Sequence, residues 1–169
     1  MLEDIIKERI KKIDLLNENG INPYPARILK KTKIIHIEDI LNSFNSFVKK
    51  EKKLAIAGRI MSIRDQGNLV FVDLADFSGK IQLVFKKNNI SNLSFWKKVL
   101  DRGDFIFCVG FPFKTQRGEK SLEVKYLELL TKSLRPLPTE WFGIEDQELR
   151  LRRRYLEMIL SPETREIFI

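Results

Sequence analysis

The sequence predicts a mainly β protein with helices (α+β): a five-stranded barrel preceded by an N-terminal helical extension and followed by a linker. Three observations predict it. Apolar residues recur with a period of two in five runs between Lys53 and Leu130, the mark of strands with one buried face. Ahead of those runs, and once between them, the period lengthens to that of a helix. Beyond them, Pro136 and Pro138 fix backbone angles and remove amide donors, so neither a helix nor a central strand passes through Leu134-Arg135-Pro136-Leu137-Pro138. Residues 1–50 are therefore read as the extension, 51–133 as the barrel, and 134–169 as a linker with the incomplete start of a further domain.

Leu2, Ile5, Ile6, Ile10, Ile13 and Leu16 recur at helical spacing with Lys and Glu between them, and Gly20 stands where a helix C-terminus takes glycine. This is read as a docking helix with a solvated basic face, direct contact with nucleic acid being the alternative. Pro23 and Pro25 then force an extended turn. A second helix is predicted from about residue 37 to 48, since Ile37, Ile40, Leu41, Phe44, Phe47 and Val48 share one face. Five strands follow at 53–63, 69–75, 80–85, 104–113 and 122–130, rich in Val, Ile, Phe and Leu. A short helix at 92–100 separates the third from the fourth. Gly67-Asn68, Phe77-Ser78-Gly79 and Arg117-Gly118 supply turns. Three strands, a helix and two strands is the order of an OB-fold, a small barrel whose exposed face and loops hold single-stranded nucleic acid, saccharide or protein.

A chain of 169 residues, 43% hydrophobic, holds one ordinary core plus an extension. Its 31 basic against 23 acidic residues give a net charge of +8, which favours a polyanionic partner without identifying it. Cys108 has no partner in the chain, so no internal disulfide or zinc site forms, and a reducing, cytosolic setting fits. No stretch approaches the roughly 20 apolar residues needed to span a bilayer, so no membrane partner is expected. The single histidine, His36, lacks a ligand cluster and is read as starting the second helix. Asp73 and Asp76 flank a turn and are read as hairpin caps. No P-loop, nucleophile elbow or paired metal-ligand motif occurs, so no catalytic or metal-binding residue is assigned.

Single-stranded RNA is read by stacking bases on aromatic rings and hydrogen-bonding their edges, while cations follow the phosphates. Arg64 stands at the end of the first predicted strand, Phe71 lies in the second and Gln82 in the third, so adjacent strands can bring all three onto one face. Glu119 sits in the loop between the last two strands, where OB-folds often meet ligand. Each has a plainer reading. A strand Phe in a chain with 12 Phe is ordinarily core, Arg64 an edge cation, Gln82 an outward residue bound to water, and Glu119 a solvated hairpin charge.

Longer patterns add to this. Arg9, Leu15 or Leu16, Gly20 and Asn22-Pro23-Tyr24-Pro25, then Ala57-Gly58-Arg59 through Gln82-Leu83, then residues 134–158 with Gly143, Asp146, Glu148, Arg150, Arg152, Arg154, Tyr155 and Leu156, resemble the anticodon-binding region of class II lysyl-tRNA synthetases and its junction with the catalytic domain. Phe142 and Leu151 depart from that pattern, replacing a His and a Tyr. In the family the equivalents of Phe71, Arg64 and Gln82 respectively stack on an anticodon base and hydrogen-bond the central uridine. Glu119 resembles the Glu of a loop that helps read the anticodon, although Arg117 replaces that loop's usual Thr.

The resemblance implies a lysine-specific tRNA as partner, through its anticodon loop, and a cytoplasmic enzyme that attaches lysine to it. It implies ATP and Mg2+ for the whole enzyme and no cofactor in this chain, whose residues 161–168 look like the helix leading into the first catalytic motif. It further implies a homodimer of the whole enzyme, with this stretch mostly monomeric, and exposed apolar surface and disorder after about Pro136. Other readings are a free-standing single-strand-binding OB protein, which leaves the Asn22 to Pro25 and 134–158 patterns unexplained, the matching segment of an aspartyl or asparaginyl synthetase, and a protein-interaction module.

Overall fold

Apolar spacing and backbone chemistry place the elements of the computed structural model, which describes residues 2–138 and 152–167. The part of the boundary pattern from Phe142 to Leu151, and Phe168, lie outside the described residues. The chain divides into two compact units, Met1–Leu134 and Arg135–Ile169.

Helix α1 (Leu2–Glu18) ends as its sequence predicts. Gly20 takes φ +71°, a left-handed conformation strained for other residues, and the Gly20 and Ile21 amides donate to the Asn17 and Leu16 carbonyls at 2.9 Å each. The predicted second helix is two short ones, α2 (Ile37–Asn42) and α3 (Phe44–Lys49), parted at Ser43 with φ −102° and ψ 14°. Asn42 and Ser43 both carry side chains that compete with helical backbone. Hydrogen bonds from Ser43 to Asp39 and from Phe47 to Ser43 nevertheless carry the turn onward, so Ile37, Ile40 and Phe44 are all buried.

The strands are β1 (Leu54–Asp65), β2 (Leu69–Ala75), β3 (Lys80–Lys86), β4 (Phe105–Lys114) and β5 (Lys120–Thr131), with α4 (Leu93–Val99) between β3 and β4. That is the OB-fold order. The sheet closes as β1-β2-β3-β5-β4, with β4 pairing back onto β1 and only β3 and β5 running parallel. Residues such as Ile56, Val72, Leu83, Ile106, Cys108 and Val124 alternate inward and join Phe44 and Leu93 of the helices in one core. Burial pushes the Cys108 thiol well up, so it is an apolar filler. In Ala57-Gly58-Arg59 the glycine is structural, because a Cβ at Gly58 would lie 2.5 Å from the Ala75 carbonyl oxygen. Arg59 serves packing too, its guanidinium 4.2 Å from the centre of the Phe105 ring.

Polar contacts fasten the extension to this sheet. The Arg9 guanidinium donates to the Ser133 carbonyl at 2.7 Å and the Arg102 carbonyl at 3.1 Å. Lys12 donates to Asp101 at 2.7 Å. Fully buried Lys132 donates to Asp101 at 2.5 Å and to equally buried Asp104 at 2.7 Å. Two cations of the helix therefore serve docking. After the helix, residues 21–35 continue over the outer side of the sheet, where Ile28 packs with Ala55, Phe107 and Val109 and the Leu29 amide donates to Glu128 at 2.9 Å.

Asp76 is the hairpin cap that its position predicts. One oxygen accepts from the Ser78 and Gly79 amides at 2.7 and 2.9 Å, and the other accepts from the Ile37 amide that starts α2. His36 precedes α2 as expected, its carbonyl accepting from Ile40 and its ring meeting the edge of exposed Phe77 at 4.6 Å. Asp73 does not cap the turn. It faces outward across β1, because its position two residues after Phe71 puts it on the same face.

In the second unit, α5 (Arg154–Leu160) is followed by α6 (Pro162–Glu166), whose first turn is capped by the Ser161 hydroxyl accepting from the Thr164 amide at 3.2 Å. Tyr155 and Ile167 are exposed. Among the described residues no helix is long and apolar enough to cross a membrane.

Candidate nucleic-acid interface

Strand parity and register put two rows of side chains on the outer face, beyond the part that residues 21–35 cover. Arg64 stands opposite Phe71, Phe71 opposite Val84, Val84 opposite Glu123, and Glu123 opposite Phe111. The next row runs Ser62, Asp73, Gln82, Ser121 and Phe113, each again opposite the next. β1 continues to Asp65, two residues past its predicted end, so Arg64 lies within a strand and is held in register.

Three of the four residues singled out by sequence meet on this face. The Arg64 guanidinium donates to the Gln82 side-chain oxygen at 3.0 Å, and half-buried Phe71 is its cross-strand neighbour. Arg64 remains 55% exposed, so a ligand can reach its other donors. Glu119 stands apart. Its amide donates to the Thr115 hydroxyl at 3.1 Å and its carbonyl accepts from the Ser121 hydroxyl at 3.3 Å, while its residue as a whole is exposed in the hairpin before β5.

Several neighbours are not legible as site residues in the sequence. Asp73 accepts from the Ser62 hydroxyl at 2.5 Å and, at 3.4 Å, from the same Arg64 nitrogen, Nη2, that donates to Gln82. Ser121 accepts from the Gln82 side-chain amide at 2.8 Å. Counting by twos along each strand, from Phe71 to Asp73 and from Glu119 to Ser121, is the signal that finds them. Phe111 and Phe113, both half-buried, add two more aromatic rings to this face.

Glu123 gathers cations at the next position. It takes hydrogen bonds from Lys86, from Lys125 at 2.5 Å and from Asn89 at 2.8 Å. Burial pulls its carboxyl up, but those three donors outweigh burial and hold it down at about 2, from an ordinary 4.5. A depressed acid adds stability that is present above its unfolded value and lost as pH falls through its folded one. Glu123→Gln should therefore flatten the loss of thermal midpoint between pH 4.5 and about 2, read by circular dichroism against the parent chain. Parallel acid limbs for the two would show the carboxylate to be inert.

Residues 54–130 match the family described as OB-fold nucleic acid binding domain, tRNA anti-codon. The chain is 39% identical over 170 residues to a lysine-tRNA ligase of Syntrophomonas wolfei, covering 99% of this chain and 33% of that protein. It is 42% identical over 170 residues to a lysine-tRNA ligase of Carboxydothermus hydrogenoformans, covering 99% and 34%. With lysine-tRNA ligase 2 of Methanosarcina mazei the figure is 38% over 164 residues, covering 95% and 32%. The chain thus spans about a third of the length of the curated relatives it matches.

Proposed function

We propose that the open sheet face reads the anticodon loop of a lysine-specific tRNA, because residues 54–130 match the OB-fold nucleic acid binding domain family and the chain is similar over nearly all its length to lysine-tRNA ligases. The observation that carries this is the direct hydrogen bond from Arg64 to Gln82 beside the Phe71 ring. A guanidinium, an amide and an aromatic face are the three groups an unstacked base needs: donors for its carbonyl oxygens, a donor and acceptor pair for its edge, and a platform for its ring. Phe71 stacks an anticodon base, Arg64 and Gln82 hydrogen-bond the central uridine, and Glu119 helps read the anticodon from the hairpin. Surface lysines neutralise phosphates and add affinity with little sequence information.

The whole protein would attach lysine to that tRNA in the cytoplasm as a homodimer, with ATP and Mg2+ supplying the activation chemistry. Residues 1–50 serve as a docking extension, 51–133 as the anticodon-binding domain, and 134–169 as the linker and beginning of the catalytic domain. Among the described residues no group of three or more His, Cys, Asp or Glu is placed to hold a metal ion, and no step through ATP or Mg2+ is assigned to them.

Titrating the chain at fixed salt with anticodon stem-loops bearing UUU and UCU tests the reading. UUU should bind more tightly, and Gln82→Ala should cut that preference by about tenfold, since a well-made pair of base-edge hydrogen bonds discriminates by ~1–3 kcal/mol. Equal affinity for the two loops would instead assign the face to sequence-blind binding of single strands.

A further inference from the structure

Arg64 has only donors to offer, so the Gln82 atom that faces it at 3.0 Å is the carbonyl oxygen Oε1. The other end, Nε2, therefore faces the Ser121 hydroxyl at 2.8 Å. Ser121 in turn gives its own proton to the Glu119 carbonyl at 3.3 Å, which leaves its oxygen free to accept from Gln82. The relay has one direction throughout. Ser121 is completely buried and stands opposite Gln82 in the register of β3 with β5, so its position is set by backbone.

An amide side chain alone does not distinguish uracil from cytosine. Uracil presents a donor at N3 beside an acceptor at O4, and cytosine presents an acceptor at N3 beside a donor at N4. An amide turned one way complements the first, and turned over it complements the second. Discrimination therefore requires that the amide be prevented from turning.

We infer that Ser121 is a positioning residue for specificity, which holds Gln82 in the single orientation that accepts uracil and refuses cytosine. This rests on the reading of Gln82 given above. Turning the amide over would set Nε2 against the Arg64 donors and would draw the Ser121 proton away from Glu119, so both ends resist. Asp73 accepts from the same Arg64 nitrogen, Nη2, at 3.4 Å and so steadies that end of the relay.

The test uses the full chain with the UUU and UCU stem-loops, comparing the parent, Ser121→Ala, Gln82→Ala and the double variant, each checked for an unchanged thermal midpoint. Ser121→Ala should lower the UUU to UCU affinity ratio by about tenfold, chiefly through tighter binding of UCU, because a Gln82 amide held only at its Arg64 end can turn over when cytosine offers hydrogen bonds to both its donor and its acceptor. In the Gln82→Ala background the same change should do nothing to the ratio. An unchanged ratio in Ser121→Ala, or an equal weakening of both loops, overturns the inference while Gln82→Ala still shows its own effect. Should Gln82→Ala leave the ratio intact, the underlying reading of the base by Gln82 falls instead.

Discussion

Lys132→Met is expected to destabilise the protein by about 3–5 kcal/mol, the cost typical of removing one partner from a buried ion pair. The methionine keeps most of the lysine stem's volume, so the loss reports charge and not a cavity. Lys132 and Asp104 are both 0% exposed, and Asp101 shares the same ammonium. Without it, Asp104 keeps only the Ser133 and Asp101 amides, at 2.8 and 2.7 Å. In the parent chain, burial pulls the Asp101 carboxyl up, but hydrogen bonds from Lys12 and Lys132 outweigh it and hold it below its ordinary value. Its contribution is therefore present above the unfolded value and fades as pH falls through the folded one. The Asp104 carboxyl behaves in the opposite sense, because burial already raises it in the parent against the pull of Lys132. In the variant, with no ammonium to oppose burial, it rises further, binds a proton on folding, and recovers stability as pH falls toward about 5. Urea unfolding of both chains at pH 7 and at about pH 5 checks this. A deficit that is the same at the two pH values, or below about 1 kcal/mol at neutrality, would show that Lys132 contributes no more than a surface pair does.

That cluster shows where sequence reading stops. The strands, their order and the helix between the third and fourth are legible because alternation with a period of two is local, and so is Gly20 as a helix end. Arg9, Lys12, Asp101, Asp104 and Lys132 come from three separate parts of the chain, and nothing local distinguishes a buried lysine from the many solvated ones. Asp73 misleads for a related reason: three residues from Asp76, it looks like part of the same turn until the register with Ser62 is known. Arg64, Phe71 and Gln82 stand out through a family pattern, and parity along the strands then makes their shared face intelligible. Their mutual contact depends on pairings of β1 with β2 and β2 with β3 that periodicity alone does not fix, and Ser121 joins them only through the parallel pairing of β3 with β5.

Phe71→Ala is expected to weaken binding of the UUU and UCU stem-loops alike, by roughly 1–3 kcal/mol, the usual cost of losing one stacked base. Every base has a ring face, so stacking supplies affinity without choosing between pyrimidines. On the proposed reading, Gln82 and Ser121 govern the ratio of the two affinities, whereas Phe71 governs their common size. The ring also has a structural duty. Its partner in register, Val84, is 2% exposed although it lies on the outer face, so truncating a half-buried neighbour uncovers apolar surface. Phe71→Leu separates the two duties, because leucine keeps an apolar cover over Val84 and offers no aromatic face. If stacking is the role, Phe71→Leu binds as poorly as Phe71→Ala while unfolding at nearly the parent's temperature, and Phe71→Tyr binds like the parent. If Phe71→Leu instead retains parental affinity for both loops, the ring is sheet packing, and stacking falls to another ring of the same face such as Phe111 or Phe113.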